Sequence, residues 1–313
     1  MNLFILHAEK LADYYKINST VPEVRTVSSI SNPKNNSLLF CKALNPEMKA
    51  NLSKVKGSII LVNIGADVPS KIIKNNLVLF VKNPRLDYVY ILNHFTFKDK
   101  ETYPNDSYYI HKEASVDKSC VIEPHVFISR NVQIGKNCHI KSGVKIHENV
   151  EIGNNTTIGS NTVIGDIGFG IERINDMEWQ RIPFEGDPMK MPHLGGVIIG
   201  SNVGIGALNT VVSGAIEPTV IEDFVKTDDH VHIAHNCKIR RGVLITAAAE
   251  LSGGVEIGED SWIGPNCSIF QQKKIGKRCV VGLGAAIFKD MKDGEIYIAT
   301  PAKKLIDKKQ IKK

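Results

Sequence analysis

Between Ile110 and Ile287 an aliphatic or similarly sized residue returns at every sixth position. The series runs Ile110, Val116, Ile122, Ile128, Ile134, Ile140, Ile146, Ile152, Ile158 and Ile164, then resumes at Ile199, Ile205 and Val211. It shifts phase once and continues from Ile221 through Thr227, Ile233, Ile239, Ile245, Leu251, Ile257, Ile263, Ile269, Ile275 and Val281 to Ile287. Two residues before most members sits a second small residue, as at Val126, Cys138, Val144, Thr156, Val231 and Val255. A spacing of two puts both on one face of a strand. A spacing of six fits neither an amphipathic helix nor a simple hairpin. It is the period of a β-solenoid, in which three short strands make one coil and coils stack. The Gly, Asn, Asp, Lys and Glu between them suit the corners. The pattern predicts a mainly β fold with a parallel β-helix over residues 108–290.

Other patterns flank the repeat. Residues 2–17 read as a short amphipathic helix with Leu6, Leu11 and Tyr14 on one side. Strand-like runs follow at Ser37–Phe40, Ser58–Val62 and Leu77–Val81, separated by polar turns. Asn83-Pro84 reads as an N-cap and first helical position, with a helix continuing through Leu86, Val89, Leu92 and Phe95. Residues 1–107 therefore form a small α/β domain, ending in a polar linker from Lys98 to Ser107. The solenoid is interrupted over 166–194 by an insertion holding Trp179, Phe184 and several prolines. A long loop leaving a regular scaffold commonly carries function. A second break, Val212–Pro218, restarts the phase. A tail over 291–313, containing Thr300-Pro301-Ala302, closes the chain. The α/β domain and the tail are expected to cap the solenoid.

Composition narrows the class. The 313 residues leave room for two domains. No apolar run reaches the roughly 18 residues that a membrane span needs. The start, MNLFILHAEK, lacks a basic region and a small-residue cleavage site, so a cytoplasmic protein is expected. The net charge of +6 comes from scattered residues, apart from the tail lysines from Lys303 to Lys313, and a nucleic-acid partner is not expected. That tail reads as a solvated end, with a nucleotide phosphate as the alternative partner. Cys120, Cys138, Cys237, Cys267 and Cys279 hold inward hexad positions and read as compact hydrophobes, neither a disulfide framework nor a zinc site.

The inward positions of such a prism are filled. Chemistry must sit at corners, on outward positions or between chains. The densest candidate is Asp228-Asp229-His230-Val231-His232-Ile233-Ala234-His235-Asn236. With Val231 and Ile233 inward, His232 points out, and His230 and His235 fall at the corners on either side. Three readings stand: a metal site, a plain surface, or one histidine as general base. The corners spread the three apart, which weighs against the metal, and none is expected. A neutral imidazole near pH 7 suits the base.

Here the chain resembles a known family. Ile233-Ala234-His235-Asn236 is similar to the signature of the UDP-3-O-acylglucosamine N-acyltransferases of lipid A synthesis. Gly168-Phe169-Gly170, Trp179, Ile182-Pro183, His193-Leu194-Gly195, Ile199-Gly200 and Gly214-Ala215 resemble that family in order and spacing. In the first domain, Ser37-Leu38-Leu39-Phe40 and Asn83-Pro84-Arg85-Leu86 resemble its nucleotide-binding domain. The resemblance implies a left-handed β-helix, a homotrimer and active sites between neighbouring prisms. It implies His235 as the base, with Asp228 accompanying it. Phe40, Phe169, His232 and Asn236 are then expected at the substrate.

Three departures shape the expectation. The family's second site histidine is matched by Gln272. The ending, Gly282–Asp290 followed by Pro301-Ala302-Lys303, resembles instead the hexapeptide acyltransferases that use coenzyme A. The coenzyme would pass Gly253, Gly254, Ala285 and Ala286, with Lys289, Pro301 and Lys303 near its phosphates. Those glycines and alanines equally suit tight corners. Ala43 and Pro46 stand where the family has aromatic and Asn positions, which opens the nucleotide to thymidine. The expectation is acyl transfer from a coenzyme A thioester to a nucleotide-linked amino sugar, with dTDP-4-amino-4,6-dideoxyglucose favoured. The alternatives are the carrier-protein-dependent lipid A enzyme and a non-catalytic scaffold.

Overall fold

The computed structural model describes residues 5–97, 107–174 and 187–301. The chain divides into two units, Met1–Glu101 and Thr102–Lys313. The division predicted at residue 107 falls slightly later.

The first unit is built on a four-stranded parallel sheet: Thr26–Val27, Ser37–Cys41, Ile59–Asn63 and Leu77–Val81, in that order. Parallel neighbours need crossover connections, and helices supply them. Pro46–Leu52 and Ser70–Asn75 are helical, where the sequence reading placed only polar turns. The first carries the same signal as Asn83-Pro84. Asn45 caps it by accepting from the Met48 N–H at 2.8 Å, with Pro46 as the first helical residue. Alternate strand residues feed opposite layers. Leu38, Ile59 and Leu61 pack with Ile91 of the helix Pro84–His94. Leu39, Ile60 and Val62 pack with Leu52 and Ile72. The N-terminal helix is shorter than predicted, Ala8–Tyr15, because Ile5–Leu6 is a strand and Lys16 turns left-handed with φ 53°.

The second unit is a triangular prism of three parallel sheets with nine, eight and nine strands. Ile128 pairs with Ile146, Ile134 with Ile152 and Ile140 with Ile158, so each coil takes 18 residues. Register survives the insertion. Ile152 pairs with Ile199 and Ile158 with Ile205 across a step of 47. Isoleucines, valines and cysteines fill the interior. All six cysteines are free thiols, and burial pushes the Cys237 thiol up to about 12 and that of Cys138 to about 11.

The corners explain the asparagines. Asn131, Asn137, Asn149, Asn155, Asn161, Asn202, Asn236 and Asn266 all hold φ between 54° and 60°. Asn enters this left-handed region at lower cost than other side chains. Successive corner amides stack: Asn137 donates to Asn155 and Asn155 to Asn202, each at 3.4 Å.

The prism does not end near Asp290. Met291 is buried and bridges Ile275, and Ile296–Tyr297 pairs with Val280–Val281. This last coil advances 16 residues from Ile275 to Met291, not 18, so the count of six loses it. Among the described residues, no helix is long and apolar enough to cross a membrane.

Candidate active site

The second phase break, at 212–218, grips one side chain. The Ala215 N–H donates to Asn236 Oδ1 at 3.2 Å, and Asn236 Nδ2 donates to the Glu217 carbonyl at 2.8 Å. The Asn236 N–H donates to Thr219 Oγ1 at 2.9 Å. These partners fix which end of the amide is oxygen. Asn236 Oδ1 also lies 3.1 Å from His235 Nδ1. An oxygen facing that nitrogen calls for a proton on it. The neutral ring therefore carries its lone pair on Nε2. The extra residues of the break thus set the tautomer of His235.

One coil on, Gly253 occupies the register position of His235. The imidazole lies over its bare α-carbon, and a Cβ there would sit 2.6 Å from His235 Nε2. His235 opens onto a cavity of ≈ 610 Å³. Its floor is the outer side of one sheet, where Thr210, His232 and Glu250 are register neighbours. Thr210 Oγ1 is 2.6 Å from His232 Nδ1, and Ser252 Oγ donates to Glu250 Oε1 at 2.9 Å. Burial holds the His232 imidazole below its ordinary value, opposed in part by the Glu250 carboxylate. The strap Ile167-Gly168-Phe169 forms one wall. Phe169 is 90% exposed.

A second imidazole stands beside His235. The His193 ring centroid is 5.2 Å away, with the planes at 69°. His193 is 7% exposed, and its Nδ1 lies 3.0 Å from the Met191 carbonyl, to which it donates. Its buried Nε2 has no partner. Leaving a buried acceptor unpaired costs about 1–3 kcal/mol. The sequence named His193 only within a resembling run. No spacing rule brings residue 193 to residue 235; the insertion does so by returning the chain to register.

Comparison with known proteins agrees with this architecture. Residues 131–166 match the family described as bacterial transferase hexapeptide (six repeats), and 254–289 match the hexapeptide repeat of succinyl-transferase. A UDP-3-O-acylglucosamine N-acyltransferase 2 of Legionella pneumophila (strain Lens) is 46% identical over 70 residues, 22% of this chain and 20% of that protein. A UDP-3-O-acylglucosamine N-acyltransferase of Hahella chejuensis is 44% identical over 82 residues, 26% of this chain and 24% of that protein. The chain thus spans about a quarter or less of the length of these curated relatives. The solved UDP-N-acetylglucosamine acyltransferase of Francisella novicida is similar over 62% of this chain and 66% of that one, with 26% identity and a TM-score of 0.52. The prism is a left-handed hexapeptide β-helix.

On one edge of this β-helix, His235, Gly253, Gln271 and Lys289 hold equivalent places, each two residues past the register partners Ile233, Leu251, Ile269 and Ile287. Gln271 lines the cavity. Gln272, the expected substitute for a second histidine, is the left-handed corner residue after it, with φ 60°, as Gly254 and Asn236 are one and two coils earlier. His193 packs against His235 from behind Gly168, a residue of the cavity wall.

Several expected residues fall elsewhere. Asp228 sits at the corner before the strand His232–Ile233 and His235 at the corner after it. Within one chain they do not pair; the Asp228 carboxylate accepts from the Asp229 N–H at 2.9 Å. His230 shares the Asp228 corner, so the three histidines do not converge, and no metal-holding cluster occurs among the described residues. Ala285 points inward and is 6% exposed, in the core rather than a groove, while its neighbour Ala286 faces out. Gly253 meets the His235 ring. Lys289 and Pro301 are exposed. Phe40 lies in the first unit, half-buried against Tyr88 with ring centroids 4.9 Å apart. Lys303, Trp179, Ile182-Pro183 and Phe184 lie outside the described residues.

Proposed function

We propose that the chain transfers an acyl group from a thioester to the amine of a nucleotide-linked amino sugar. The observation that carries this is His235, which lines a cavity on a hexapeptide β-helix edge with its Nδ1–H held by Asn236 and its lone pair therefore left on Nε2. The amine attacks the thioester carbonyl, forming the C–N bond. The oxyanion needs a donor, and the corner N–H of Gly253, a residue lining the cavity, is our candidate for it. Collapse breaks the C–S bond. The amine proton passes to His235 Nε2 and then to the departing thiolate. If the thiolate takes it directly, His235 orients the amine instead.

Relatives named for UDP-3-O-acylglucosamine support a UDP-linked glucosamine derivative as acceptor over dTDP-4-amino-4,6-dideoxyglucose. For the donor, acyl carrier protein accompanies that reading. Coenzyme A is favoured by exposed Lys289 on the His235 edge, a cation fit for a phosphate. A homotrimer would bring Asp228 of one copy towards His235 of the next. That placement reconciles the expected pair with their separation on one prism.

The test is thiol release from acyl-CoA or acyl carrier protein with UDP- and dTDP-linked amino sugars. Release that requires an amino sugar supports acyl transfer, and the preferred partners identify donor and nucleotide. No release with any pairing leaves the non-catalytic scaffold as the better reading.

A further inference from the structure

We propose that His193 is the second imidazole of this site and selects the amine: its Nε2 accepts one N–H of the acceptor while His235 Nε2 takes the proton. This rests on the acyl-transfer reading above. Both rings have their Nδ1–H anchored, His235 on Asn236 Oδ1 and His193 on the Met191 carbonyl. Both therefore offer Nε2 as an acceptor, from rings 5.2 Å apart. His193 Nε2 is buried without a partner, as a site awaiting a donor would be. A Cβ on Gly168 would lie 2.9 Å from it, and Gly168 itself lines the cavity. One backbone strap separates the acceptor from the cavity. Glycines on both sides of the exposed Phe169 give that strap the freedom to shift as the acceptor enters.

The chemistry explains why two acceptors are useful. As the C–N bond forms, the attacking nitrogen carries two hydrogens. One leaves to His235 Nε2 and reaches the thiolate when the C–S bond breaks. The other remains as the amide N–H, held by His193 throughout. An attacking hydroxyl has one hydrogen. After giving it to His235, it leaves His193 unpaired in a buried site. A site built to bond a substrate N–H rejects the analogue lacking it.

The experiment compares wild type, His193→Asn and His193→Gln. Asn keeps a donor near the Nδ1 position and removes the distal acceptor. Gln reaches that position with an amide oxygen. We would measure kcat and KM for the nucleotide-linked amino sugar and for its hydroxyl counterpart, with Tm for each protein. His193→Asn should lower the amine-to-hydroxyl ratio of kcat/KM roughly tenfold or more, and Gln should recover most of it. An unchanged ratio in a folded His193→Asn protein, or Gln performing no better than Asn, overturns the inference. Should His193→Asn fail to fold, 15N-histidine spectra of the wild type decide. Saturating amino sugar should move the His193 Nε2 resonance, and an unmoved resonance overturns the proposal. Wild type without transfer to any amino sugar defeats the function and this inference together. Normal transfer with an unaltered ratio defeats only the inference.

Discussion

His235 depends on two neighbours for different things. Asn236 supplies the tautomer and Gly253 supplies the space. Asn236→Gly keeps the left-handed corner but removes the oxygen facing Nδ1. It should lower kcat by roughly 10²-fold, the lower end of what a positioned base contributes. Near-normal turnover would show that the amide does not set the ring. Gly253 has no positive φ, so Gly253→Ala tests space alone. The added Cβ must displace the imidazole, and a displacement near 1 Å costs about 10²-fold. Tm should hold while kcat falls. A lost Tm with normal specific activity would assign Gly253 to folding. The His235-Asn236 pair was readable because the strand pattern fixes which residues reach a corner. His193 was not, since its approach depends on the path of an inserted loop. Ala285 was misplaced for a simpler reason: a motif match does not say which way a side chain points, and the pleat turns this one inward.

At the scale of the coil, six-residue spacing is the direct consequence of three flat sides with one inward pair each. That is why the β-helix was legible and the α/β unit was read less fully. Short helices such as Ser70–Asn75 leave too few turns for a periodic stripe. The final coil escaped because its step is two residues short. Two substitutions test the coil. Ile158→Ala empties a fully buried inward position and should cost about 2–5 kcal/mol in chemical denaturation. Asn155→Val puts a β-branched residue at φ 56° and removes one rung of the amide stack. It should cost about 1–2 kcal/mol. An Asn155→Val protein as stable as wild type would mean that the corner tolerates any side chain.

The whole molecule joins face, edge and corner. On the cavity floor, burial lowers the His232 pKa from its ordinary value near 6.5. Between that lowered value and 6.5 the unfolded chain binds more protons than the folded one. Stability contributed by neutral His232 is therefore present above 6.5 and lost as pH falls through the window. Tm measured from pH 7.5 to 5 should fall less steeply in His232→Gln than in wild type. Identical slopes would mean that other groups govern the acid limit. Assembly makes a separate prediction. If Asp228 and His235 of adjacent copies share a site, co-expressing His235→Ala with Asp228→Ala chains should restore activity well above either variant alone. No restoration would place the two residues in independent roles.

The most direct test of the central claim measures amino-sugar-dependent thiol release in wild type and His235→Ala, with acceptor affinity determined for both. The account predicts release in wild type, loss of roughly 10²-fold or more in the variant, and unchanged acceptor binding. Turnover by His235→Ala at the wild-type rate would contradict it.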